Sequence, residues 1–268
     1  MRNLRDILKE SILDDIDTQI EKGVKDIKNE IKSFLENNYV GEFKISRKPN
    51  ADGLYEVSSK KDIILTNTEI NSITNGLFIF KTVGVLFSVS LARNLTSLEG
   101  SPEKVGYFKC SKCPNLTSLK GAPKKVDQDF LCSHCISLKS LEGAPEKVGG
   151  TFTCFGCLSL TSLEGAPKEI GENFACSGCQ SLESLKGAPE IVRGNFDCCY
   201  CEKLKSLEGG PKIVRGTYYC YDCNSLETLK GAPEKVGGDF HCMSCKKLKS
   251  LDYAPKTPTG GVISNIKK

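Results

Sequence analysis

Apolar residues follow two different periods along this chain. From the amino terminus they recur every three or four positions, at Leu4, Leu8, Ile12, Ile16, Ile20, Val24, Ile27, Ile31 and Phe34. One stripe at that spacing predicts an amphipathic helix, with a break expected near Asp14 or Gly23 and an end at Asn37 and Asn38. Its polar face mixes acids with lysines, so the stripe suits a core or a dimer seam better than a membrane surface. Residues 42–46 and 54–58, joined through Pro49 to Gly53, have the composition of a hairpin.

Farther along, the period lengthens to 22. Six segments follow one another without a gap from Leu116 to Lys247, and a Cys-x-x-Cys pair opens at Cys110, Cys132, Cys154, Cys176, Cys198, Cys220 and Cys242. Each unit reads Phe-x-Cys-x-x-Cys-x-x-Leu-x-x-Leu-x-Gly-Ala-Pro. The alternation of Phe152 and Cys154 around Thr153 predicts a short strand with Phe and Cys facing inward. Gly-Ala-Pro can continue neither a helix nor an internal strand, so the chain turns there. A unit this short cannot bury its own apolar face. Units must therefore stack, strand beside strand and leucine over leucine. Degenerate copies extend the stack toward the amino end: Phe87, Val89, Ala92 and Leu95 match Phe, first Cys, second Cys and Leu, and Ile64, Asn67 and Ile70 match the last three once more.

The expected fold is mainly β with an α-helical amino terminus. A cap of helix plus hairpin occupies 1–60, a solenoid of 22-residue coils with short parallel strands occupies 61–255, and a flexible basic tail occupies 256–268. The run Phe152, Cys154, Cys157, Leu160 resembles the strand half of a leucine-rich repeat, LxxLxLxxN/CxxL, with Cys157 at the Asn/Cys position. Gly149 stands where that family places its first leucine, and the return segments carry no helical pattern. The convex side is thus expected to be extended or turn-rich and non-helical. The LxSLEGAP repeats and the ISRKPNADGLYEVSS module resemble leucine-rich-repeat proteins encoded by large tailed phages of gut bacteria, a resemblance that covers most of the chain and implies a phage source. The opening MRNLRDILKE is similar to the capsid-targeting peptides of T-even-type phages, which are cleaved after a Leu-x-Glu such as Leu8-Lys9-Glu10; the alternative is that Leu4 and Leu8 begin a structural helix.

Fifteen cysteines would suggest a disulfide scaffold in a small secreted chain. Here the amino terminus carries a charge every two or three residues and has no apolar h-region, so export is not expected and a cytoplasmic location is, the host cytoplasm if the chain is phage-encoded, with the virion as the alternative. Adjacent pairs give Cys-x2-Cys-x18-Cys-x2-Cys, a zinc-ribbon spacing that would use Cys110, Cys113, Cys132 and Cys135 as four thiolate ligands. Seven pairs do not divide into such sites, and Val89 and Ala92 replace one pair, a substitution an apolar slot tolerates and a metal ligand does not. The reading preferred on these grounds has no cofactor and no metal: the first Cys is a small buried hydrophobe, and the second meets the backbone of the turn. Cys199, outside the register, is expected to point outward beside Tyr200.

A net charge of +4, from 37 basic and 33 acidic residues, is too balanced to argue for nucleic acid. Leu77 to Ala92 is shorter than the ~20 residues of a membrane-spanning helix. The two histidines, His134 and His241, stand five repeats apart, roughly 24 Å at the sheet spacing, and neither a phosphate-binding Gly-rich loop nor H-E-x-x-H occurs. These absences point away from an enzyme. Positions left free by the repeat lie on the exposed side of the strand ladder, and there Phe155, Tyr200, Tyr219, Tyr221, His241 and Met243 collect as candidate anchors for a protein partner. The alternative for the tyrosines is pairing across the sheet. Two further functions compatible with the sequence are zinc binding and end-to-end self-assembly, the latter because open solenoid ends invite stacking.

Overall fold

Each coil of the repeat contributes one short strand to each of two sheets. The computed structural model describes residues 4–256 and 259–266, with side chains from Thr18 onward. It shows a β-solenoid of about nine stacked 22-residue coils behind a single amino-terminal helix. One sheet has 11 strands and carries the Phe-x-Cys segments, such as Phe130–Leu131, Phe152–Thr153 and Phe174–Ala175. The other has 10 strands and carries the segments after Gly-Ala-Pro, such as Lys125–Val126, Lys147–Val148 and Glu169–Ile170. The return side is non-helical and extended, in line with the sequence, and it forms a second hydrogen-bonded ladder.

Pairing is parallel and in register, so like residues lie on like residues. Phe130 pairs with Phe152 and Phe174 with Phe196, while Val126, Val148, Ile170, Val192, Val214 and Val236 form a matching column across the core. Successive rings from Phe108 to Phe240, including Tyr218, sit 5.0–5.4 Å apart. Two leucine columns, Leu116 to Leu248 and Leu119 to Leu229, close the interior from the turn side. The Gly-Ala-Pro turn has two requirements at Gly165: its φ is +87°, and a Cβ there would lie 2.5 Å from the Glu142 amide nitrogen of the coil below. Only glycine meets both.

In-register stacking also places like charges together, and the sequence avoids the conflict by alternation. The residue after each proline runs Glu103, Lys124, Glu146, Lys168, Glu190, Lys212, Glu234, Lys256. Lys124 pairs with Glu103 at 3.3 Å, Lys168 with Glu146 at 3.1 Å, and Lys212 with Glu190. A second row pairs Lys120 with Glu142, Lys186 with Glu164 and Lys230 with Glu208.

Both sheets begin with an antiparallel strand from the amino-terminal segment: Tyr39–Val40 on Ile63–Leu65, and Lys44–Ile45 on Tyr55–Ser58. The second of these is the expected hairpin. Its Tyr55–Ser58 strand also pairs in parallel with Phe78–Thr82, so the cap runs into the stack without a boundary. The helix, Leu4–Asn38, is continuous, correcting the expected break at Asp14 or Gly23. Gly23 has nothing within 4 Å of where a Cβ would be, so it is simply a solvent-facing position. Ile31 and Leu35 are buried and Phe34 meets Phe78 at 5.9 Å, whereas Ile20 and Ile27 are exposed. Asn38 ends the helix; its carbonyl accepts the Thr66 amide at 2.8 Å. Leu8 to Glu10 lie in helical backbone, and their side chains are outside the described residues.

The sequence alignment of the first coil is out by one residue. Ile63 pairs with Phe87 and takes the inward position with Leu65, leaving Ile64 40% exposed. The segment expected as a flexible tail instead supplies a strand, Gly261–Ile263, parallel to Asp239–His241, with Val262 and Ile266 packed on the last coil.

Candidate functional site

The cysteine columns are built into the fold. All fifteen thiols are free and buried. The second Cys of each pair donates its S–H to the carbonyl of the first-Cys position one coil below: Cys113 to Val89, Cys135 to Cys110, Cys157 to Cys132, Cys179 to Cys154, Cys201 to Cys176, Cys223 to Cys198 and Cys245 to Cys220, at 3.0–3.5 Å. This is the turn-backbone contact that the repeat suggested. Burial pushes the Cys110 thiol up to about 12 and carries Cys132, Cys176, Cys198 and Cys220 well above their ordinary range. Among the described residues no group of three or more His, Cys, Asp or Glu side chains is placed to hold a metal ion, and Cys110, Cys113, Cys132 and Cys135 do not converge on one.

Two residues past the first Cys, the backbone enters the left-handed region in every coil: Lys112, His134, Gly156, Gly178, Tyr200, Asp222 and Ser244 have φ of 55–69°. The amide of each except the last donates to a carbonyl of the next coil, for example Tyr200 to Tyr221 at 3.1 Å and Asp222 to Met243 at 3.0 Å. Stacking holds a conformation that a non-glycine residue adopts only at a cost. The kink turns the residue at this position out of the ladder.

Tyr200 is 49% exposed at such a kink, and its ring meets Tyr221 of the next coil edge-on at 5.3 Å and 84°. Tyr219 lies 6.3 Å from Tyr221 at 90° and stacks on His241 at 5.1 Å and 23°. Four of the six predicted anchors are therefore one contiguous, half-exposed aromatic surface. Met243 occupies the same row one coil above Tyr221. Phe155 does not join them; it lies three coils below Tyr221 in that row and packs edge-on against His134 at 5.0 Å.

Two acidic groups that the sequence reading did not select belong to this surface. Asp197 pairs in register with Tyr219. Its carboxylate accepts the Ser177 hydroxyl and the Cys199 amide, each at 3.0 Å. Asp222 follows Tyr221 directly. The signal that could have found Asp197 was its place in the free row between Phe and Cys. Cys199, expected outward, is fully buried, because Tyr221 of the next coil covers it. Burial first and then the Asp197 charge raise its thiol. That Cys199 thiol, more than partial burial, also raises the phenol of Tyr221.

A cleft of about 610 Å³ lies elsewhere, at the amino-terminal edge between Val40, Lys61, Asp62, Ile64 and Val85. A smaller hollow of about 310 Å³ runs past Leu91, Lys112, His134 and Ile136. No described helix is long and apolar enough to cross a membrane. Fold and surface together define the chain as a repeat protein of the β-solenoid class, with a cysteine-lined core and an aromatic exposed ladder. No protein family, curated protein or solved structure matches it.

Proposed function

We propose that the chain is a non-catalytic interaction module that binds a protein partner through the exposed face of its Phe-x-Cys sheet. The observation that carries this reading is the contiguous surface of Tyr200, Tyr219, Tyr221 and His241. Rigid aromatic side chains on a pre-formed scaffold lose little entropy on binding and supply large contact area, which is why such residues dominate the energetics of interfaces. Supporting it, the thiols are buried and proton-holding, which deprives them of the thiolate that nucleophilic chemistry needs. The Phe-x-Cys-x-x-Cys-x-x-Leu unit makes the module one of the leucine-rich-repeat kind, and the LxSLEGAP repeats favour a phage source, with the host cytoplasm or the virion as the place of action.

Tyr219→Ala combined with Tyr221→Ala should abolish capture of the partner from host lysate while the thermal midpoint moves little. A large fall in the midpoint would make these tyrosines part of the fold and remove the basis of the reading. Tyr218, buried one residue away, serves as the contrasting position: truncating it should cost about 3–5 kcal/mol, as for other core aromatics.

A further inference from the structure

We infer that Tyr200, Tyr219 and Tyr221, with the carboxylates of Asp197 and Asp222, receive an arginine side chain of the protein partner. This deepens the partner-face reading above and rests on it. Two of the three ring contacts are perpendicular, 84° between Tyr200 and Tyr221 and 90° between Tyr219 and Tyr221. Rings so disposed meet edge to face and do not close on each other as a parallel stack. The faces of such rings carry negative quadrupole charge, which attracts a cation placed over them.

The carboxylates add to that field because neither is ion-paired among the described residues. Many other acids of the solenoid are matched by lysines, as in Lys104 with Asp127 at 3.0 Å, Lys147 with Glu169 at 2.9 Å and Lys186 with Glu164 at 2.7 Å. Asp197 accepts the Ser177 hydroxyl on one oxygen and the Cys199 amide on the other, with the Cys199 thiol hydrogen-bonded to it as well; of the roughly four acceptor sites of a carboxylate, that leaves about one to offer. The same exposed rows begin with cations: Lys109 occupies the Asp197 position four coils earlier, and Lys112 the Tyr200 position. A cationic group approaching the face is repelled at that end and drawn to the tyrosine end, roughly 19 Å away at the sheet spacing. Arginine fits better than lysine, because a planar guanidinium can lie on a tyrosine face while its N–H fork reaches a carboxylate.

The test is tyrosine-ring NMR of the full chain, which has eight tyrosines, titrated with a blocked Gly-Arg-Gly peptide and with its citrulline counterpart, neutral but of the same shape. The arginine peptide should move the resonances of Tyr200, Tyr219 and Tyr221 saturably, and the citrulline peptide should not. Asp197→Asn, and independently Asp222→Asn, should weaken the arginine peptide about two- to fivefold. Equal shifts from citrulline, shifts confined to other tyrosines, or unchanged affinity in both folded variants would overturn the proposal. If the arginine probe fails while partner capture still depends on Tyr219 and Tyr221, the cation site falls and the partner face stands. Loss of both removes both.

Discussion

At the scale of the residue, a cysteine in this protein is a small apolar side chain with one hydrogen bond to give. Packing it at fourteen repeat positions keeps the core narrow, and at the second position of each pair the S–H is given to a carbonyl of the coil below. Burial has a consequence for stability against pH. The folded state holds the Cys110 thiol up to about 12 and Cys242 up to about 11, mainly through desolvation. In the unfolded chain the same thiols ionise near about 8.5. A raised pKa in the folded state means that the stabilisation is complete below the unfolded value and is lost as pH climbs toward the folded one. The urea midpoint is therefore expected to fall steadily between pH 8 and pH 10, and native thiols are expected to react with an aromatic disulfide reagent far more slowly than those of the denatured protein. A midpoint that stays flat to pH 10 would mean that the thiols are hydrated in the folded state.

Residue identity did not by itself say which thiols are buried. Cys199 sits in the same row as Phe155, which is 39% exposed, yet it is fully covered. The difference is the neighbour one coil above: Ser177 over Phe155 is too small to cover a ring, and Tyr221 over Cys199 is large. Burial at a free position of a solenoid is decided by the next coil, 22 residues away in sequence and one strand spacing away in space.

At the scale of the element, the strands are too short to be stable alone; most have two residues. Their register is set by columns of identical apolar residues, since any slip would bring Phe over a solvent-facing position. Alternating charge after the prolines works in the same direction. Exposed ion pairs contribute little singly, but a column of like charges at strand spacing would oppose stacking. Lys168→Glu, which places an acid between Glu146 and Glu190, should lower the thermal midpoint in dilute buffer, and the deficit should shrink as salt approaches 1 M, where screening acts within about 3 Å. A deficit independent of salt would point to lost packing of the lysine stem instead of charge.

The helix and the coil were legible from periodicity, and the hairpin from composition. The continuity of the helix past Gly23 was not, because a solvent-facing glycine weakens a helix by only about 1 kcal/mol and does not break it. The strand at Gly261–Ile263 was also missed. Three residues beside a basic, Pro-containing stretch carry no periodic signal, and their conformation is imposed by the open edge of Asp239–His241.

At the scale of the whole molecule, a solenoid has two apolar ends, and this chain covers both with the segments that flank its coils. Phe34 and Tyr39 close one end against Phe78, Phe80 and Phe87, with Ile31 and Leu35 buried in the same core; Val262 and Ile266 lie over the other. Deleting residues 259–268 would leave Phe240, Cys242 and Leu248 facing water beside an unpaired strand edge. Static light scattering of that variant should rise with concentration, while the full chain should scatter as a single species. Equal scattering from both would show that the last strand is dispensable for solubility.

The sequence by itself determined the coil: a 22-residue period carries its own inward and outward positions, because a unit unable to bury its apolar face has only its neighbours to pack against. What only the tertiary structure decided was which free positions meet. Tyr200, Tyr219, Tyr221 and Asp197 are spread over two repeats, and their angles and their shared surface come from the stacking of one coil on the next, a contact that no single repeat encodes.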